Sequence, residues 1–202
     1  MAKATGHSKD QLEKIGNAIV YLANHMNNGV GLTKKSVLKL LFILEERSIK
    51  QNRLPFFNLQ YVVWKFGPVA VEVHDELRHD TTCFKNYIEQ RIDHENETTV
   101  FAPVAEFNDD EFTLNDIAIM DEVIAEFKNH TERQLIDYTH REDSLWYKAA
   151  AKKGVLEDLL SEALIQTNIQ INFTDLFTED ETEAREHYKS HLEFLKISDS
   201  LK

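Results

Sequence analysis

His187 and His191 stand four residues apart in "HYKSH", a spacing that puts both imidazoles on one helix face, where they could share a metal ion. A zinc site needs at least three protein ligands, and spacing pins no third, so the pair reads as a surface feature. "VHDEL" sets His74 beside Asp75 and Glu76, yet adjacent helical residues diverge by about 100 degrees and cannot face one substrate. The second histidine of a zinc-protease helix is missing as well. Thr139 and His140 fall at a predicted helix end, where an imidazole can bond the last free carbonyls. With neither a nucleophile nor a metal partner beside them, they read as a fixed corner. Cys83 is the single cysteine, which rules out an intramolecular disulfide and a Cys-based zinc site. No P-loop, dinucleotide-binding glycine pattern or Gly-x-Ser-x-Gly elbow occurs. Catalytic residues, a metal site and a cofactor are therefore not expected.

The stretch "VVWKFGPVAVEVHDELR", residues 62–78, is the strongest local anomaly. Gly67 permits a sharp backbone turn and Pro68 suits the first turn of a following helix, so the segment reads as a hinge between two helices, its corner packed by Trp64 and Phe66. The alternative is that the corner offers its aromatic groups to a partner, because tryptophan is enriched at binding hot spots.

The surrounding elements read as helices. Ser8 and Gln11 form a capping-box pattern ahead of Leu12, Ile15, Ile19, Leu22 and Met26 at helical spacing, and Gly29 and Gly31 end that helix. Thr33 caps a second helix whose broad apolar surface, Val37, Leu38, Leu40, Leu41, Ile43 and Leu44, marks it as the buried centre. A loop through Pro55 leads to a short third helix, and a fourth follows Gly67-Pro68 with Val69, Val73 and Leu77 on one face. "NYIEQRI" and "TTVFAPV" flank the polar "DHENE" as a hairpin near residues 86–104. Thr113 caps a helix with Asp116 at its third position, Thr131 caps "ERQLIDYTH", and Asp143 or Ser144 caps "LWYKAAAKK". "TNIQINFTDLF" is a short extended segment or a loop, and a terminal helix with an acidic start follows. The expected fold is mainly α: a compact multi-helix domain with a small two-stranded β-hairpin insertion.

Composition sets the outer bounds. The 202 residues, 42% hydrophobic and 10% aromatic, suit a globular chain able to bury a core. A net charge of -12 repels phosphate backbones and attracts basic partners, which disfavours direct nucleic-acid binding. The strongest apolar run, "VLKLLFIL" at 37–44, is short and broken by Lys39, so no membrane span is expected. With no signal-peptide pattern and one cysteine, a cytoplasmic location is expected.

In order, "VLKLLFILEERSIKQNR", "VVWKFGPVAVEVHDELR", a variable hairpin, "FTLNDIAIMDEVIAEF" and "LIDYTHREDSLWYKA" resemble the Panacea domain, the SocA-like antitoxin family, over roughly residues 12–150. The matching marks are Lys39, Leu40 and Leu41, then Trp64 with Gly67, Pro68 and Val69, then Thr139 and His140 followed by Trp146. The resemblance implies a mostly helical, non-catalytic antitoxin that neutralises a cognate protein toxin by direct binding. A proteolytic adaptor that hands its toxin to a protease is the alternative known in the family. A small metal-dependent hydrolase, resting on His187 and His191, is a weaker rival.

The resemblance also divides the chain: residues 1–150 as the antitoxin domain, and 151–202 as a divergent helical extension packed on it. No additional N-terminal DNA-binding module is expected. A scaffold that serves many toxins should keep its packing corners and vary its contacts. Partner binding is accordingly expected at Asp93, Glu95 and Glu97 in the hairpin, at Asp109, Asp110 and Glu111, and in the segment from Asn168 onward, which suits a basic toxin.

Overall fold

The computed structural model describes residues 9–26, 29–78, 83–95 and 97–200. Its first helix, α1 (Lys9–His25), is followed by the two-residue strand β1 (Leu32–Thr33) and by α2 (Lys34–Asn52). The proposed cap at Ser8 lies outside the described residues. Thr33 caps α2, its side chain accepting the Ser36 N–H, and the helix ends at Arg53, which takes a left-handed φ of 63°. The residues from Ser36 to Glu45 are buried, with Ser48 and Ile49 beyond them. This helix is buried nearly all round and packs against later helices and a strand. Each fully buried aliphatic side chain here stabilises the fold by about 1.5–3 kcal/mol.

The helices α4 (Leu114–Phe127), α5 (Glu132–Thr139) and α6 (Leu145–Lys152) begin where capping chemistry places them. Thr113 with Asp116, and Thr131 with Gln134, form complete reciprocal capping boxes. For α6 the cap is Ser144, whose hydroxyl accepts the Tyr147 N–H. The short α7 (Leu156–Leu160) and the terminal α8 (Thr182–Ser200) complete the helices. No described helix is long and apolar enough to cross a membrane.

The fold is mixed rather than mainly α, because the described residues also form two three-stranded antiparallel sheets. In the first, β4 (Ile88–Asp93) and β5 (Thr98–Pro103) make the expected hairpin, and β1 adds a third strand beside β5. The second contains β2 (Val62–Trp64), β3 (Gly67–Val69) and β6 (Gln166–Gln170), in the order β3-β2-β6. Here the hinge reading fails. Trp64 pairs with Gly67 across a two-residue loop, and the β-branched and aromatic run before it favours a strand over a short third helix.

Pro68 occupies edge strand β3 instead of a helix start. Opposite Val63, it lies between the pairs Trp64↔Gly67 and Val62↔Val69. Ladder hydrogen bonds alternate along such a hairpin, so the missing proline N–H interrupts none of them. The helix that follows, α3 (Val71–Glu76), starts later, and Val73 and Leu77 are buried as its face requires. The segment after residue 150, expected to be a helical extension with a short extended stretch or loop at 167–177, forms β6 there against β2 and puts Leu159, Phe173, Phe177 and Tyr188 in the common core.

Candidate functional site

The scattered sequence marks meet at one point. Lys39 projects from α2 into the interior with 1% of its surface exposed, and its ammonium donates to the Pro68 carbonyl at 2.9 Å. That carbonyl is free because the proline sits in a pair that the β2–β3 ladder does not bond. Gly67 has φ +99°, and a Cβ there would lie 2.7 Å from Thr139 Oγ1 and 2.8 Å from Lys39 Cε. The position therefore needs glycine twice over, for its backbone angle and for the approach of helix and hairpin.

Thr139 closes α5 by donating its hydroxyl to the Ile136 carbonyl at 2.9 Å. His140 follows as the C-terminal cap, and its ring stacks on Trp146 with centroids 3.8 Å apart and planes 19° apart. Trp146, fully buried, donates its indole N–H to the Trp64 carbonyl at 2.8 Å. Trp64 in turn donates its indole N–H to the Thr167 carbonyl at 3.2 Å and meets His74 edge-on at 4.8 Å. One chain of contacts thus runs from α2 through the β2–β3 hairpin to α5, α6 and β6. Leu40, Leu41 and Val69 are buried in the core around it.

The electrostatics follow from burial. Desolvation lowers the Lys39 pKa to about 7, with Glu132 pulling it upward and Lys35 further down. Glu132 is itself held by the Thr33 hydroxyl at 2.6 Å and by Lys35 at 2.9 Å. Burial, aided by the Lys39 charge, lowers His140 to about 4, so its imidazole is neutral near pH 7. The buried His140 Nε2 has no hydrogen-bond partner among the described residues. Lys39 and Thr139 are enclosed by side chains and backbone, whereas Glu132 and His140 are half-buried at the margin, and the contacts among them join elements as a clamp.

Sequence reasoning missed a second buried ionisable side chain on the same helix. Glu45, 1% exposed, accepts the Phe57 N–H at 2.8 Å and the Asn58 N–H at 3.1 Å. It thereby anchors the loop that leads into β2. Burial raises its pKa to about 8 against the opposing pull of those backbone N–H groups. A signal was present: Glu45 lies four residues after Leu41, on the apolar side of α2, where an exposed carboxylate is out of place.

The acidic candidates lie apart from the clamp. Asp93 is buried, and its carboxylate accepts the Glu95 N–H at 3.0 Å, which makes it a turn former. Glu95 and Glu97 are exposed on that turn, Asp109 and Asp110 are exposed before α4, and Glu111 is half-buried. Asp110 accepts the Asn108 side-chain amide at 3.1 Å. On α8, His187 is exposed and His191 half-buried, and no group of three or more His, Cys, Asp or Glu among the described residues could hold a metal ion.

A family model described as antitoxin SocA-like, Panacea domain matches residues 37–147. The match begins two residues before Lys39 and ends one after Trp146, so it contains the clamp apart from the β6 contact and leaves α1 outside. No curated protein and no solved structure matches the chain.

Proposed function

The chain belongs to the antitoxin SocA-like, Panacea domain family, and from that premise we propose that it neutralises a cognate protein toxin by direct binding, without catalysis. The observation that supports this reading most is the enclosure of the shared marks: Lys39, Thr139 and Trp146 are each at most 2% exposed. Residues so buried hold a platform together and leave recognition to the surface.

The surface candidates are Glu95 and Glu97 on the hairpin turn, Asp109, Asp110 and Glu111 before α4, and the segment from Asn168 onward. Asp93 acts through the turn it shapes. With a net charge of -12, the surface suits a basic toxin, whose approach a complementary field accelerates.

The test is co-expression with the adjacent reading frame. That product should arrest growth when expressed alone and be tolerated, and co-purify, with this chain. Failure to protect against either neighbouring product overturns the reading. Unchanged protection in cells lacking the major cytoplasmic proteases separates direct neutralisation from delivery for degradation.

A further inference from the structure

The outer strand of the first sheet, β4, has β5 on one side and no strand partner among the described residues on the other. Its ends, Ile88 and Asp93, are buried, while residues 89–92 are exposed, Ile92 by 64%. The Val104 N–H donates to the Tyr87 carbonyl at 2.9 Å. Hydrogen-bonded pairs alternate along an antiparallel ladder, and the register runs from Ile88↔Pro103 to Asp93↔Thr98. The groups facing β5 are therefore those of Glu89, Arg91 and Asp93. The N–H and C=O of Gln90 and Ile92 point outward, as does the Ile88 carbonyl, whereas the Ile88 N–H is bonded to Phe84.

We propose that this edge pairs antiparallel with β4 of a second copy of the chain, about a two-fold axis at Gln90. In that register Gln90 meets Gln90 of the second copy and the two exchange N–H and C=O. Glu89 lies opposite Arg91 of the second copy, and Arg91 opposite its Glu89, with each pair of side chains on one face of the joined sheet. Exposed Ile92 lies against Ile88 of the second copy.

The neighbouring two-fold registers satisfy the backbone but bring no two exposed opposite charges together. An axis at Ile92 sets Arg91 opposite Asp93 of the second copy, an opposite charge but one that is buried and already accepts the Glu95 N–H, and an axis at Ile88 sets Glu89 against Tyr87. Charged residues on an edge strand ordinarily discourage pairing. Opposite charges at Glu89 and Arg91 are complementary to themselves under a two-fold, so they reject unlike strands and admit this one.

Analytical ultracentrifugation of the full chain tests the proposal. The unmodified protein forms a concentration-dependent dimer. Glu89→Arg and Arg91→Glu each set like charges opposite one another and weaken the dimer about tenfold or more. An equimolar mixture of the two variants restores it, because the basic strand of one then faces the acidic strand of the other. Mixing cannot repair the pair that Glu89 and Arg91 make within one chain, so recovery reports contact between copies.

Gln90→Pro removes an outward N–H and leaves the β5 ladder intact, so a variant with unchanged circular dichroism should be monomeric. If it fails to fold, the charge variants decide. Amide exchange at Gln90 and Ile92 should slow as chain concentration rises. A protein that stays monomeric at all concentrations, or variants whose mixture associates no better than either alone, overturns the proposal. Protection of these amides by added cognate toxin only would assign the edge to the toxin and overturn it too.

Discussion

Gly67 and Pro68 are adjacent but serve different ends, and substitution should separate them. In Gly67→Val a branched side chain must adopt φ +99° and meet Thr139 and Lys39 at under 3 Å, which strain and overpacking together make a loss of about 3 kcal/mol or more. Pro68→Ala keeps the carbonyl that Lys39 needs and should lose about 1 kcal/mol or less, through added freedom of the unfolded chain. Urea denaturation compares them, and equal midpoints would show that Gly67 is not conformationally special.

The two buried ionisable groups of α2 give opposite pH signatures. Lys39 binds its proton more weakly folded than unfolded, so its contribution is fully present above about pH 10.5 and is lost as pH falls through about 7. Glu45 binds its proton more tightly when folded; its contribution is present below about pH 4.5 and is lost as pH rises through about 8. Lys39→Met should therefore flatten the rise in stability between about pH 7 and 10, and Glu45→Gln the decline between about pH 5 and 8. Urea midpoints at several pH values check both. An unchanged profile in Lys39→Met would mean that the amine stays charged inside the fold.

At the scale of elements, β6 decides whether the C-terminal segment is an appendage. It pairs with β2, its Thr167 hydroxyl donates to the Val63 carbonyl at 2.6 Å, and Phe173 packs against Phe42 and Tyr61. Ending the chain after Lys152 would expose β2 as an edge and open the core at Phe42 and Tyr61. The truncated chain should lose cooperative thermal unfolding and aggregate, although it retains every residue of the family match. A truncated chain that melts like the full one would make residues 153–202 a dispensable addition.

For the whole molecule, the division between an enclosed clamp and an acidic exterior makes the last prediction. Charge reversal at Asp109, Asp110 and Glu111 should slow toxin association and reduce its salt dependence, with little change in melting temperature, as rim charges do. Trp146→Ala should instead lose binding through unfolding, by a stability loss on the order of 3 kcal/mol or more for a fully buried ring. Kinetics and melting curves on the same variants check both. A Trp146→Ala protein that stays folded yet no longer binds would move the interface onto the clamp.

What the sequence determined by itself is what depends on near neighbours. Thr113 and Thr131 start helices because a cap needs only a residue two or three positions on, whereas between Asp143 and Ser144 the structure selects Ser144. Likewise α2 is legible from its apolar run, and the β4–β5 hairpin from two β-rich stretches around a polar turn. The strand at Gly67-Pro68 is not legible in the sequence because Gly-Pro suits both a helix start and a hairpin, and the hairpin is completed by pairing with the distant β6.

Only the tertiary structure brought Trp64 to Thr167, 103 residues away, gathered Lys39, Gly67, Thr139, His140 and Trp146 into one clamp, and buried Glu45 and Asp93. Burial and pairing belong to surfaces that meet only once the chain has closed. An apolar run can flag a charged residue that will be buried, as around Lys39 and Glu45, but the groups that receive it, the Pro68 carbonyl and the Phe57 and Asn58 N–H, are set only by the closed chain.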